Sequence, residues 1–281
     1  MGEAIQGKSS GNIFDTVGKI SGSGDVKLIA ILVAATFIIG VLGILMVPFI
    51  SAQDRSGDYV DYMATLHPDG TLDESYTYHL TGNVRTRMLF RYWKDELDFG
   101  NSYLPFINLV SVDAPSGTIA YIKNWAGQVT IVPPSYGSVP DIITINELAY
   151  TNEVGCYYPN YFPAGSHTIS FKFKINLEAE SDSAYDHLNL MLARAHLPYR
   201  NVMIVLEDAN YISSFYQHPP SLYTSRVGNN IVILGSSAEN ELLEVELLMP
   251  TGTHRFDTYL SDVSNIKGLT DQANSLYSTQ Y

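Results

Sequence analysis

Seven histidines, His67, His79, His167, His187, His196, His218 and His254, are the side chains best suited to hold a metal or move a proton. No two are four residues apart, so none forms the helical pair of a zinc site, and a single Cys cannot build a thiolate site. Most are expected to face solvent or to be satisfied by hydrogen bonds. Acidic residues gather more tightly, as Glu178, Glu180, Asp182 and Asp186 and again as Asp95, Glu96 and Asp98. Calcium needs about six to eight converging oxygens, and loops between strands can supply them, which makes Glu178, Glu180, Asp182 and Asp186 the calcium candidates. Alternating carboxylates at a strand end also form a solvated rim, and that reading is preferred, so no metal or cofactor is expected. Two carboxylates would make a glycosidase pair only if the fold set them ~5–10 Å apart. Cys156 has no histidine nearby in the sequence to act as its base and reads as a small buried apolar residue. Nucleophile elbows, phosphate-cradling loops and dinucleotide fingerprints are all missing from the sequence.

One aromatic segment stands out, from Cys156 to Pro163. Its rings, Tyr157, Tyr158, Tyr161 and Phe162, are braced by Pro159 and Pro163. They are the interaction candidates, able to present flat faces to a surface glycan or a protein partner. The same composition also closes the end of a β-sandwich, which is the favoured role. Phe90, Tyr92 and Trp93 read as core.

These residues must be positioned by two very different parts of the chain. From Leu28 to Ile50 no residue is charged and nearly all are aliphatic. As a helix rising ~1.5 Å per residue the run is roughly 34 Å long, enough to cross a hydrocarbon layer of ~30 Å. Leu28, Phe37, Leu42, Leu45 and Phe49 mark this expected membrane anchor. Retention is favoured over cleavage after Ala52, because the apolar part of a signal peptide is about 7–15 residues long. Lys8, Lys19 and Lys27 precede the run and only Arg55 follows it closely, which predicts a cytoplasmic N-terminus and a C-terminal domain outside. The expected organisation is a flexible tail over 1–27, the membrane helix over 28–50 and a linker over 51–57. A β-rich domain follows over 58–253, then a C-terminal tail over 254–281.

Composition narrows the function of the outer part. The first 52 residues balance three lysines against three acidic residues, so the whole net charge of −13 lies beyond them. An acidic exterior repels phosphate backbones and argues against nucleic-acid binding. All 20 tyrosines lie beyond Ser51, where their half-polar rings suit strand faces. With one Cys there is no internal disulfide, so the domain must rest on a hydrophobic core.

Strand signals dominate that domain. Pro68-Asp69-Gly70 has turn chemistry at each position and separates Tyr59–Leu66 from Thr71–Leu80. In the second run Leu72, Glu74, Tyr76, Tyr78 and Leu80 share one face. Further strands are expected at Val84–Tyr92, Phe106–Val112, Thr118–Lys123, Val129–Val132 and Ile142–Ile145. The clearest is His167–Leu177, where Ile169, Phe171, Phe173 and Ile175 alternate with polar residues. Leu188, Leu190 and Leu192 continue the habit, although helix is open there too. Asn201–Glu207, Ile231–Leu234 and Glu241–Met249 complete the set. After His254, Leu260, Val263, Ile266, Leu269, Ala273 and Leu276 recur at helical spacing, weakened by Gly268. The fold class is therefore mainly β, an antiparallel β-sandwich-like domain behind a single membrane helix, with a short C-terminal helix.

The order of these strands resembles the YciQ-like predicted membrane proteins, a domain-of-unknown-function family of prokaryotic surface proteins. The matching features are the hairpin around Asp69-Gly70 with Leu72 and Glu74, and the strand Ile169 to Ile175. Asp182 to Leu192, Leu197-Pro198, Val202–Leu206 and the strand Glu241–Met249 closing in Pro250-Thr251-Gly252 follow in order. The resemblance covers roughly residues 57–253. It implies a β-rich extracytoplasmic domain on a membrane anchor and brings no catalytic residues. Family members usually carry further membrane helices after the β domain, whereas this sequence ends at Tyr281; a short relative or a missing C-terminal part is expected.

The leading functional expectation is a non-catalytic, membrane-anchored surface domain for interaction or assembly, with the bilayer and a protein or glycan as partners. An envelope hydrolase acting on polysaccharide or peptide is the alternative from a different class. A pilin-like filament subunit is a third, although Gly24-Asp25-Val26-Lys27 offers no obvious processing site before the apolar run.

Overall fold

Period-two alternation becomes strand after strand in the computed structural model, which describes residues 57–100 and 106–280. These residues belong to a compact unit spanning Arg55–Tyr281. The elements run β1 (Tyr59–Leu66), β2 (Thr71–Leu80), β3 (Met88–Tyr92), β4 (Leu97–Phe99), β5 (Ile107–Asp113), β6 (Ile119–Lys123), β7 (Val129–Ile131), α1 (Val139–Leu148) and β8 (Glu153–Tyr157). Then come β9 (Gly165–Ile175), β10 (Ala179–Ser181), β11 (Tyr185–Ala193), β12 (Tyr199–Leu206), β13 (Ser214–His218), β14 (Tyr223–Val227), β15 (Asn230–Ser237), β16 (Leu243–Pro250), β17 (Thr258–Leu260) and α2 (Ile266–Gln280). The domain is mainly β, as expected.

The strands form three sheets: an eight-stranded one ordered β14-β15-β12-β1-β2-β9-β5-β4, a five-stranded one ordered β13-β16-β11-β10-β17, and a four-stranded one ordered β3-β8-β6-β7. Pairing departs from the purely antiparallel expectation at β1–β12, β4–β5 and β10–β17, which are parallel. Parallel neighbours need a long crossover, and β1 and β12 have most of the domain between them to supply it. The β1–β2 turn closes with Gly70 at φ +81°, where an added Cβ would sit 3.2 Å from the Ile175 carbonyl oxygen.

Inward faces of all three sheets join one hydrophobic core. Ile169, Phe171, Phe173 and Ile175 of β9 meet Leu188, Leu190 and Leu192 of β11 and Leu243, Val245 and Leu247 of β16 there, beside Leu89 of β3. The alternation of β2 also carries Glu74 inward, where an acid needs a partner. Arg91 of β3 supplies it, with Nε 3.2 Å from Glu74 Oε2, both side chains at most 2% exposed. Tyr62 donates to the other carboxylate oxygen at 2.6 Å. The Arg91 guanidinium lies 3.5 Å over the Trp93 ring and donates to the Met191 carbonyl on β11 at 3.0 Å. One buried ion pair thus ties together all three sheets. Burial works against the Arg91 charge, but Glu74, Tyr76, Tyr62 and Tyr199 together outweigh it and raise its pKa.

Among the described residues two helices cover outer sheet faces; the C-terminal one is as expected, and the other corrects the sequence reading. Ile142–Ile145, expected as a strand, lies inside α1. Ser138 and Asp141 form a reciprocal capping box and Pro140 sits in the first turn, so the start signal overrides the β-branched run. Ile145 of α1 then packs with Ile119, Tyr121 and Tyr157 on the four-stranded sheet. In α2 the apolar stripe is split: Ile266 is buried but Leu269 and Leu276 are exposed, and Thr270 and Asn274 face the sheet instead. Asp182 accepts the Ile266 amide at 2.7 Å at the start of the helix. An added Cβ at Gly268 would lie 2.4 Å from the Asn265 side chain, whose Oδ1 accepts the Gly268 amide. That glycine leaves room for the capping side chain.

Glu153, at the start of β8, is buried against Tyr121, which donates to it. Burial outweighs the hydrogen bonds from Tyr121 and the Tyr150 amide and pushes its carboxyl up to about 7. A folded-state pKa raised above the ordinary value favours folding of the protonated form. Its contribution is complete below about 4.5 and is lost as pH rises through about 7. Urea titrations across this window are expected to show a fall in stability that Glu153→Gln flattens.

Candidate functional site

A cleft of about 650 Å³ suited to a ligand opens where the eight-stranded sheet meets the four-stranded one. Val60, Tyr78, Leu80 and Tyr199 form its floor, and Met88, Phe90 and Tyr92 of β3 form one wall. Strand alternation places both sets, since each lies on one face of its strand. Tyr78 is held by its hydroxyl, which donates to the Phe90 carbonyl at 3.0 Å. Tyr150, just beyond α1, stands at the rim 64% exposed, with its ring 6.2 Å from Phe90 and 6.3 Å from Tyr92. Thr86, Thr151, Glu239 and Asn240 supply polar edges.

An apolar, aromatic hollow with a few polar groups around it suits insertion of apolar side chains. It is poorly equipped for proton transfer. His196 lines it, but its Nδ1 lies 2.6 Å from the Leu197 carbonyl and its Nε2 2.7 Å from the Glu241 carbonyl. Both ring nitrogens thus face backbone carbonyl oxygens, and the ring lies tilted against Tyr199 with centroids 4.0 Å apart.

The calcium candidates do not converge. Asp186 is buried and accepts from His254 at 2.7 Å and Thr251 at 2.9 Å. Asp182 accepts the amides of Ala184, Tyr185 and Ile266, and the Tyr185 and Ala184 bonds lead in holding its carboxyl below the usual range. Glu180 takes the Ser261 hydroxyl, and Glu178 is exposed. Each of the first three thus serves a neighbouring backbone or side chain.

In the aromatic segment, Tyr157 and Phe162 are buried and Tyr158 is half-buried, packed against the core. Tyr161 is 39% exposed, with the guanidinium groups of Arg85 and Arg87 at 5.6 and 5.3 Å from its ring. Only this last ring is open to a partner. Cys156 is fully buried, and burial pushes its thiol up to about 12, which leaves it unreactive. Leu28, Phe37, Leu42, Leu45 and Phe49 lie outside the described residues. No helix among the described residues is long and apolar enough to cross a membrane.

A different cluster assembles where sequence spacing is silent. Glu246 of β16 has Oε1 2.8 Å from His218 Nε2 on β13, and Oε2 3.1 Å from His187 Nε2 on β11. Asn274 of α2 donates to Oε2 at 3.2 Å. Burial disfavours the Glu246 charge, but the bonds from His187, His218 and Asn274 outweigh it and hold the carboxyl at about 2. Glu244, two residues along the same strand, is pushed up by burial. Part of the inward face of α2 is thus explained, since Asn274 donates to Glu246 and the Tyr277 ring packs on His218.

Comparison with known proteins sets this geometry in context. Two solved structures of an M1 zinc metallopeptidase from Deinococcus radiodurans, one of them a substrate-bound mutant, align at a TM-score of 0.33 and 9% identity. The alignments cover 68% and 69% of this chain, which spans only 42% and 43% of the metallopeptidase chains. At that score the likeness supports no conclusion about fold or chemistry. Among curated proteins, none matches the chain. The family model described as the N-terminal domain of a predicted membrane protein, DUF2207, matches residues 58–249, from the first strand to the last residues of β16, and the chain belongs to this family.

Proposed function

We propose that the chain is a single-pass, membrane-anchored protein whose β-rich domain lies outside the cell and binds an apolar segment of a protein partner without catalysis. The aromatic cleft carries this reading: its floor and wall are apolar, and its histidine is tied to carbonyl groups. Membership in a predicted membrane protein family and the uncharged run Leu28–Ile50 support the anchor. The lysines before that run support the orientation.

Tyr150→Cys tests orientation and partner together, because the native Cys156 is buried and will not compete. Intact cells are treated with a membrane-impermeant maleimide carrying a photocrosslinker, then illuminated. Labelling without lysis and one discrete crosslinked species are expected, and Phe90→Glu in the cleft wall should reduce that species at least tenfold. Labelling only after lysis overturns the orientation. Efficient labelling with no discrete species overturns the partner.

A further inference from the structure

We propose that His218, Glu244 and Glu246, on the outer face of the five-stranded sheet beneath α2, bind a divalent transition-metal ion of the zinc type. Their ligating atoms all lie within 4.8 Å of one another, and they are the only such group of metal-capable side chains among the described residues. Zinc bonds of roughly 2.0–2.2 Å put ligand pairs about 3.3 Å apart in a tetrahedron, so small side-chain rotations close the set. One imidazole and two carboxylates match the mixed nitrogen–oxygen ligation of zinc and leave a fourth position for water.

The register builds this set. His218 pairs with Glu244 and Tyr216 with Glu246 across β13–β16, so all three ligands rise from adjacent strands on the same face. Their outer supports are present too. The Glu246 oxygen remote from His218 takes His187 and Asn274, the arrangement that orients a ligating carboxylate. The Tyr277 ring of α2 stands edge-on to His218 at 4.6 Å and covers it.

Independent support comes from the imidazole itself. His67, His79, His196 and His254 each engage both ring nitrogens. His218 is only 5% exposed, yet its Nδ1 has no hydrogen-bond partner. Without a metal Nε2 carries the ring proton and donates it to Glu246; because Nδ1 has no partner, the proton can pass to Nδ1 and free the Nε2 lone pair for a cation with no other bond broken. A metal there would fasten the edge strand β13 to β16 and, through Asn274, fasten α2 onto the sheet.

The test uses the full chain in detergent, without a polyhistidine tag, stripped with a chelator and titrated with ZnCl2 against a chromogenic zinc indicator. One zinc per chain is expected, with binding at least 100-fold weaker in both His218→Asn and Glu244→Gln and about 10-fold weaker in His187→Asn. Millimolar Ca²⁺ should not compete. Glu244 is only partly buried, so Glu244→Gln decides the matter if His218→Asn fails to fold. No saturable zinc binding by the stripped wild type overturns the proposal, as does affinity within threefold of wild type in Glu244→Gln.

Discussion

Replacing Arg91 with methionine is expected to cost about 3–5 kcal/mol of folding stability, because it strands the Glu74 carboxylate in the core. The pair has no access to water, with side-chain exposures of 2% and 0%, so Glu74 cannot be rescued by solvation. The loss also removes the donor to the Met191 carbonyl and the cation over Trp93, and so loosens the junction of the three sheets. The double variant Arg91→Met with Glu74→Leu should regain much of the loss, since apolar replacement of both partners is often nearly neutral. Recovery stays incomplete, because the Tyr62 hydroxyl loses its acceptor. Urea unfolding of a 57–281 fragment, followed by tyrosine and tryptophan fluorescence, measures both. A single variant within about 1 kcal/mol of wild type would show that the pair is not the junction described here.

Gly155→Ala is the second severe change expected. An added Cβ would lie 2.4 Å from the Leu89 carbonyl oxygen and 2.9 Å from both the Phe90 Cβ and the Tyr121 hydroxyl. The nearest of these is backbone in the β3–β8 ladder, where Phe90 pairs with Gly155, so no side-chain rotation relieves the clash. Overpacking at such a site should cost about 3 kcal/mol, at the upper end of its usual range. For a domain of this size that lowers the melting temperature by about 6–12 °C. Trimming the neighbour with Tyr121→Phe should not restore it, because the carbonyl contact remains. A melting temperature unchanged in Gly155→Ala would mean that the ladder yields at this point.

The residues that made the fold legible are those with one wet and one dry face. β1, β2, β9 and β16 lie where alternation puts them, with Ile169, Phe171, Phe173 and Ile175 all inward. β8 escaped because all five of its residues are buried, between the core and the α1 side, so its sequence shows no period. The very short strands β4, β10 and β17 leave too few positions for any period to show. α2 was legible as a helix but not in its orientation. Counting apolar residues points Leu269 and Leu276 inward, whereas the surface beneath is ionic and draws Thr270 and Asn274 instead.

The candidate sites were harder still. The cleft collects residues from β1 to the β15–β16 connection, and no local pattern links them. His187, His218, Glu244 and Glu246 meet only through the registers of β11, β16 and β13. In the sequence, Glu244 and Glu246 are simply the polar half of an alternating strand. The available signal was indirect: a helix that turns an asparagine and a threonine inward must be covering something polar.

Because β1 is the first strand of the domain yet lies inside the largest sheet, between β2 and β12, its position has a mechanical meaning. Tension entering through the chain ahead of Tyr59 runs along β1 and strains the ladders on both sides together, in shear, instead of peeling bonds off one by one. Forced unfolding is governed by the unfolding rate, and loading two full-length ladders at once keeps that rate low. In the anchored arrangement proposed above, a head hung from its leading strand would stay folded while its mooring is pulled.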